Sequence, residues 1–380
     1  MRSPDIAAIP VTIVPGAAVL EGQRIMTICN ACRYCEGYCA VFPAMERRLE
    51  FSAQDMNYLA NLCHNCGACY TSCQYAPPHE FALNLPRNFA EIRVESYREY
   101  AWPPVLARLN WNSGWSLALA TLAFVAMFLL GVLSENSGVL VTPRASFYDV
   151  ISHRMMALTF GLLGLCVALM LLGAFIRFWR ATGEPFAAML DRSALRRTFG
   201  DALSLTNLGG GGEGCASVTE QPSTLRRQFH HLSAYGFGLC FLATVVATIY
   251  HYVFGWKAPY PLLSLPVLLG VTGGAGLLIG PPGLWWMRRR RDPALSDPKQ
   301  AGMDLTLIAL LFLTSLTGLL LLAFRDTAAM PTLLAVHLGI VTGLFVAMPY
   351  GKFVHALHRC AALLRFALER RRPAPAVPGE

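Results

Sequence analysis

Six long apolar stretches after residue 104 constrain the fold of this chain more than any other feature of its sequence. An apolar helix needs about 20 residues to cross the hydrocarbon core of a bilayer. Charged residues make up 14% of the chain, against about 25% in soluble domains. We therefore predict an all-α membrane bundle with spanning helices at approximately 113–133, 155–176, 232–254, 261–286, 304–324 and 331–350.

The net charge of +8 lies in short arginine clusters beside these stretches rather than in one patch suited to nucleic acid. The clusters follow the second, fourth and sixth stretches, and the connections between them are poor in lysine and arginine. Positively charged loops are retained in the cytoplasm. The pattern predicts a multi-pass protein of the bacterial inner membrane, in contact with lipid, with both termini in the cytoplasm.

One cysteine pattern, C-x2-C-x2-C-x3-C, occurs twice before the first apolar stretch. Three soft thiolates from one tight loop suit three corners of a [4Fe–4S] cubane, and the fourth ligand usually comes from the other run. We expect two clusters, the first held by Cys29, Cys32, Cys35 and Cys73, and the second held by Cys63, Cys66, Cys69 and Cys39.

Zinc and disulfides are the alternative uses of these cysteines. A tetrahedral zinc site often uses C-x2-C pairs, but it has no use for a third cysteine in register that is then repeated. Structural disulfides require an oxidising compartment, and the predicted topology keeps this region in the reducing cytoplasm. The iron–sulfur interpretation is therefore favoured, although Ala40 and Gln74 stand where proline usually follows the fourth cysteine.

The chain divides into four parts. Residues 1–23 are expected to be a flexible tail, 24–104 a cytoplasmic ferredoxin-like module, 105–358 the membrane domain, and 359–380 a basic cytoplasmic tail. A helix with Ser52 as its N-cap is predicted between the two cysteine runs, and a charged surface helix at 87–100. The membrane domain includes a cytoplasmic loop at 177–229, whose run Gly209–Gly214 is expected to be a flexible hinge or a docking point. Cys215 is expected to be a free loop thiol or a reactive one.

Histidines fall at the ends of the apolar stretches, where ionisable groups are costly and often functional. His337 and His355 are 18 residues apart, which is about five helical turns and puts both on one face of a single helix. His251 could then meet His337 near the outside, and His230 or His231 could meet His355 near the inside. These pairs would hold two stacked haems, and His153, at the outer end of the second stretch, is a further candidate ligand. Alternatively His153, His230, His231 and His358 simply lie at the headgroup level.

These features resemble the citrate utilization protein B family, also described as the tricarballylate utilization protein B family. The resemblance covers about residues 24–360, and its membrane part is similar to the cytochrome b subunits of nitrate reductases. Besides the cysteine runs it rests on five strings: Cys73-Gln-Tyr-Ala-Pro-Pro-His-Glu80, Phe229-His-His-Leu232, Tyr235-Gly-Phe237, Ala247-Thr-Ile-Tyr-His-Tyr252 and Pro349-Tyr-Gly-Lys-Phe-Val-His355.

The resemblance implies a membrane electron-transfer protein that reoxidises the FAD of a tricarballylate dehydrogenase-like flavoprotein. Electrons would pass through two [4Fe–4S] clusters and haem b, in one or two copies, to the quinone pool. No residue in the chain is typical of a substrate base or nucleophile, so we expect a redox subunit rather than a stand-alone enzyme. Two alternatives stay open: a quinol-oxidising subunit that feeds a cytoplasmic reductase, and a cluster-based redox sensor or transporter.

Overall fold

The computed structural model of the chain describes residues 16–108, 114–135, 146–212, 214–216 and 222–373. The described residues are all-helical, apart from an isolated bridge between Cys215 and Ser223. The predicted all-α class is therefore confirmed. Residues 1–15 and 374–380, which belong to the two expected tails, lie outside the described residues.

Five short helices form the cluster module. They are α1 (Ala17–Cys32), α2 (Val41–Met45), α3 (Ala53–Leu62), α4 (Ala68–Thr71) and α5 (Leu85–Glu99). The predicted capping of α3 is confirmed: Ser52 accepts a hydrogen bond from the Asp55 amide, and the Asp55 carboxylate accepts one from the Ser52 amide. This reciprocal pair starts α3 at a defined residue, and so sets where the second cysteine run begins.

The expectation of a flexible tail through residue 23 is wrong, because α1 already begins at Ala17. Val19, Ile25 and Met26 of this helix are buried where it packs on α5. The prediction that residues 87–100 form a surface helix is also wrong, although the helix itself is present. Most of α5 is buried, and Arg93 is 1% exposed, because its polar groups find partners inside the protein.

Among the described residues, six helices are long and apolar enough to cross a membrane. They are α6 (Gly114–Glu135), α7 (His153–Ala181), α9 (Leu225–Tyr252), α10 (Leu265–Arg289), α11 (Pro298–Ala323) and α12 (Met330–Ala347). A further helix, α8 (Arg192–Ser204), lies between α7 and α9, and another, α13 (His355–Glu369), follows α12. α10 continues through Pro281 and Pro282 to Arg289 without interruption.

Small residues allow α9 and α10 to touch backbone to backbone. A Cβ added to Gly273 would lie 2.7 Å from the Gly236 carbonyl oxygen, and one added to Gly236 would lie 2.8 Å from the Gly273 carbonyl oxygen. α12 approaches α6 in the same way, since a Cβ on Gly339 would lie 2.5 Å from the Val125 Cα. Such close approach supplies the dispersion contacts that hold helices together in lipid.

We expect the Gly280→Ala variant to destabilise this helix pair. The new Cβ would lie 2.5 Å from the Ser233 Oγ and 2.8 Å from the Phe229 carbonyl oxygen, and overpacking of this kind costs about 1–3 kcal/mol. The matched control is Gly270→Ala on the same helix, where the nearest atom would be the Ala243 Cβ at 3.9 Å. Thermal unfolding in detergent measures both, and equal midpoints for the two variants would contradict the prediction.

The cluster module packs on one end of the bundle. Val94 and Tyr97 of α5 meet Met303 near the start of α11 and Val354 after α12. Arg226 at the start of α9 and Arg291 after α10 both reach Asn65 of the module. The arginine-rich ends of the helices therefore lie on the same side as the cysteines.

The expectation of a basic tail from residue 359 is wrong for the part that the structure describes. Residues 359–369 belong to α13, which packs on α3, α7 and α8. Ala362, Leu363 and Phe366 join the core of the cluster module. The apolar residues of α13 recur at helical spacing between its arginines, and they pack the helix between the module and the bundle.

The connection between α7 and α9 is also packed rather than a free loop. α8 lies against α13, and the Gly211 amide donates to the Tyr38 carbonyl oxygen at 3.0 Å. The glycine run is therefore held in place by this contact with the module instead of acting as the expected hinge. Its positive φ values, 51° at Gly210 and 84° at Gly211, are conformations that glycine adopts without steric cost.

Candidate electron-transfer site

Two adjacent cavities in the module are lined by the eight cysteines of the doubled pattern. The outer cavity is lined by Cys29, Cys32, Cys35 and Cys73, with Cys69 at its inner edge. The inner cavity is lined by Cys39, Cys63, Cys66 and Cys69. The structure thus brings together the same two crossed sets that the spacing predicts. Phe42 and Leu85 line both cavities, so the two sites share a wall.

Local backbone geometry forms the loop of the second run. Asn65 and Gly67 have φ values of 55° and 87°, and these left-handed residues fold the chain back between Cys63 and Cys69. The Asn65 amide then donates to the Cys63 Sγ at 3.3 Å. A hydrogen bond to a ligand sulfur is one of the means by which a protein tunes the potential of an iron–sulfur cluster.

The chemistry of the thiols fits an iron–sulfur group. Burial, and then the neighbouring thiols beginning with Cys73, raise the pKa of Cys29 and Cys35 to about 12. Bound iron would deprotonate such thiols outright. Within the described ranges no three donors converge closely enough for a single metal ion; instead the thiols surround a cavity, which is the arrangement that a multi-iron body requires.

The two cavities differ in exposure. All four cysteines of the outer set are partly exposed, and the neighbouring Tyr34 is 67% exposed. In the inner set Cys63 and Cys66 are buried. Cys215 joins the apolar group around Cys66 and Ala68. It is a free thiol, as expected, but it is buried, with 3% of its surface exposed. The connection after α8 thus covers the cysteines of the inner cavity.

His230 and His355 face each other close to His64, a residue that lines the inner cavity and is an electrostatic neighbour of His230. Their ring centroids are 6.3 Å apart and their planes are inclined by 78°. A metal–imidazole bond is about 2 Å long, so two imidazoles on one iron have centroids separated by roughly 6 Å. The pair therefore has the separation that a bis-histidine haem requires.

The ring nitrogens of these two histidines also suit binding of a metal. The His355 Nδ1 lies 2.5 Å from the Lys352 carbonyl oxygen, which makes Nδ1 the donor and leaves Nε2 free for a metal. Partial burial, with Lys352 and Arg359 nearby, lowers the pKa of His355 well below its ordinary value, so the ring is neutral. The Nδ1 of His230 is buried and has no hydrogen-bond partner among the described residues.

Of the two adjacent histidines at the start of α9, the structure brings His230, not His231, to His355. The His231 Nε2 lies 3.1 Å from the Leu203 carbonyl oxygen in α8, and its ring stacks on Tyr235. The route to the pairing also differs from the prediction. α12 ends at Ala347 and a new helix begins at His355, so the turn at 348–354, rather than the face of one continuous helix, directs this side chain.

The outer histidines do not form the expected pair of His251 with His337. His251 stacks on His153 with centroids 3.6 Å apart, which is too close for an iron between the rings. His337 instead has its Nδ1 3.0 Å from the Thr317 Oγ. The reason is the helix pairing: α9 packs mainly on α10, whereas α12 packs on α6 and α11. As arranged, these three side chains do not fit a second haem.

Comparison with known proteins places this site in a family. The model of citrate utilization protein B matches residues 113–376, and the model of the citrate utilization protein B Fer4-like domain matches residues 22–99. The chain belongs to the citrate utilization protein B family. The Fer4-like match coincides with the two cysteine-lined cavities, and the other match covers the six candidate spans together with His230 and His355.

A curated relative of this family extends over nearly the whole chain. The citrate utilization protein B of Escherichia coli is 49% identical over 357 residues, which cover 93% of this chain and 93% of that protein. No solved structure matches the chain. The family resemblance predicted from the cysteine runs and histidine strings is therefore confirmed.

Proposed function

We propose that this member of the citrate utilization protein B family carries electrons from a reduced flavoprotein to membrane quinone. The cysteine sets would hold two [4Fe–4S] clusters, and His230 with His355 would hold haem b. When bound, each of these groups supplies a site that accepts and releases one electron at a time. The observation that supports this proposal most strongly is the order in space of three neighbouring sites: the outer cavity, the inner cavity and the facing histidines.

The link between the inner cavity and the histidines runs through a few buried contacts. Arg359, which is on the same helix as His355, donates to the Cys63 carbonyl oxygen at 2.6 Å. His64 lines the inner cavity and is an electrostatic neighbour of both His230 and Arg359. Arg359 is also an electrostatic neighbour of His230 and His355, so it lies close both to the loop of Cys63 and to the facing histidines.

The electron donor we propose is an FAD-dependent dehydrogenase of tricarballylate or citrate-like compounds, since the relative is named for citrate utilization. Reduced flavin releases two electrons and two protons, and a quinone takes up two of each. The proposed orientation has the module and both termini in the cytoplasm, because the arginine-rich connections lie on the module's side. Lipid would surround the large apolar side chains exposed on α6 and α7.

The test is a reduced-minus-oxidised visible spectrum of anaerobically purified protein, with iron, acid-labile sulfide and haem quantified together. We expect about eight sulfides per chain, as two cubanes require, and one b-type haem. Sulfide without haem would contradict the proposed histidine site and favour a cluster-based sensor.

A second measurement distinguishes the direction of flow. Rapid mixing of the oxidised protein with a reduced quinol analogue is expected to leave the clusters oxidised, because the proposed flow runs from clusters to quinone. Reduction of the clusters by quinol would favour the alternative of a quinol-oxidising subunit that feeds a cytoplasmic reductase.

A further inference from the structure

Four arginines from four different elements converge on one short segment, residues 60–65, which carries Cys63 of the inner site. Arg93 in α5 donates to the Ala60 and Cys63 carbonyl oxygens at 3.0 and 3.3 Å. Arg359 in α13 donates to the Asn61 and Cys63 carbonyl oxygens. The other two come from the bundle: Arg226 donates to the His64 and Asn65 carbonyl oxygens, and Arg291 donates to the Asn65 side chain at 2.7 Å.

No carboxylate accepts a hydrogen bond from these four guanidinium groups in the part of the chain that the structure describes; their acceptors are carbonyl oxygens and amide side chains, and Arg226 also hydrogen-bonds the Cys215 thiol. Besides the carbonyl oxygens, Arg93 donates to the Gln300 Oε1 at 2.9 Å. Asp304 is a carboxylate among the electrostatic neighbours of Arg291, but it is already paired with Arg288 and with Lys352. Partial burial, and then the nearby cations Arg226 and Arg288, lower the pKa of Arg291 to about 9.

The loop of the outer site has fewer arginines on its backbone than the loop of the inner site. No arginine lines either cavity, and on the outer loop Arg33 donates to the Asn30 carbonyl oxygen at 3.0 Å. The neighbouring Arg33 interacts electrostatically with Glu46, which is itself close to Glu36. Positive charge near the outer site is thus accompanied by carboxylates and by water.

Crowded cations beside a cluster affect its reduction potential. A cubane with four thiolates is negatively charged, and reduction adds one further negative charge. Fixed positive charges in a medium of low dielectric constant stabilise that added charge more strongly than solvated ones do. The same four arginines also hold the loop of the inner site against the membrane domain.

We propose that Arg93, Arg226, Arg291 and Arg359 make the inner cluster the electron acceptor of the outer one, by raising its reduction potential and by fixing it beside His230 and His355. This inference rests on the proposed function. One electron leaves the cluster on the Cys29 set, which is oxidised, and reduces the cluster on the Cys63 set, with no proton transferred. Electrons therefore enter at the exposed outer site and leave from the buried inner one.

The experiment is a potentiometric titration monitored by electron paramagnetic resonance on the full-length protein. In the unmodified chain the inner cluster is expected to have the higher potential. Arg291→Gln and Arg226→Gln should each lower the potential of the inner cluster, and the double variant should lower it further, while the outer cluster keeps its potential. The Cys73→Ala and Cys39→Ala variants assign the two signals.

Two controls separate charge from structure. Arg290→Gln removes the same charge one residue away, from an exposed side chain that packs on Trp286, and it should leave both potentials unchanged. Arg291→Lys keeps the charge and should retain most of the potential. Equal shifts in both clusters, or no shift in either glutamine variant, would overturn the inference.

The reduction potentials of the inner and outer clusters in the unmodified chain test the inference even where a variant fails to assemble. A lower potential at the inner cluster overturns the inference, whereas a higher one supports it. A protein without clusters would instead contradict the proposed function itself, so the two failures are distinguishable.

Discussion

Replacing Cys39 with alanine is expected to remove the inner cluster, although Cys39 belongs to the first cysteine run. Its thiol lines the inner cavity with Cys63, Cys66 and Cys69, and a cubane that loses one of four thiolates is generally not retained. Acid-labile sulfide should fall from about eight to about four per chain. Cys73→Ala should show the reciprocal result and remove the outer cluster.

The measurement is sulfide content combined with the resonance signal of the remaining cluster. Cys39→Ala should leave the same signal as Cys63→Ala, and Cys73→Ala the same signal as Cys29→Ala. Cys166→Ala is the matched control, since this exposed thiol lies on α7 away from both cavities. If Cys39→Ala and Cys29→Ala left identical signals, each run would hold its own cluster and the crossed assignment would be wrong.

Replacing His355 with alanine is expected to abolish binding of haem b at the inner pair. The variant removes the imidazole whose Nδ1 is fixed by the Lys352 carbonyl oxygen, and one remaining histidine does not hold a six-coordinate iron. His230→Ala should have the same effect, because its ring faces His355 across 6.3 Å. The pyridine haemochrome content of purified protein measures the loss.

His358 provides the matched control on the same helix. Its ring is fully buried and stacks on Phe178 with centroids 4.4 Å apart, so it faces the packing between α7 and α13. His358→Ala should therefore keep the haem and lower stability by about 3 kcal/mol, as truncation of other buried rings does. His231→Ala should also keep the haem. Full haem content in both His355→Ala and His230→Ala would contradict the site, and loss of half would indicate a second haem elsewhere.

Patterns of short range in the chain were predicted correctly from the sequence. The capping of α3 and the positions of the six apolar helices both follow from residues close together along the chain, whereas the crossed sets of cysteines stay a prediction. A tight loop presents ligands at fixed intervals, and a helix of sufficient hydrophobicity forms wherever it can enter a membrane. These features depend little on what packs against them.

The failures of prediction share a different cause. Arginines in the C-terminal segment suggested a solvated tail, yet α13 is buried against α3 and α7. The spacing of His337 and His355 assumed one helix, but the chain turns between Ala347 and His355. The C-terminal segment is rich in arginine, and the two histidines are 18 residues apart. In neither case does the sequence show which helix the segment packs against.

Local spacing and hydrophobicity were therefore enough to predict the all-α class and the helices long enough to cross a membrane. Helix packing was needed to bring His230 to face His355, to stack His251 on His153 and to place four arginines around residues 60–65. Each of these contacts joins residues far apart in the chain, and it exists because helix packing, including the close approach at Gly273 and Gly280, sets which helix ends meet.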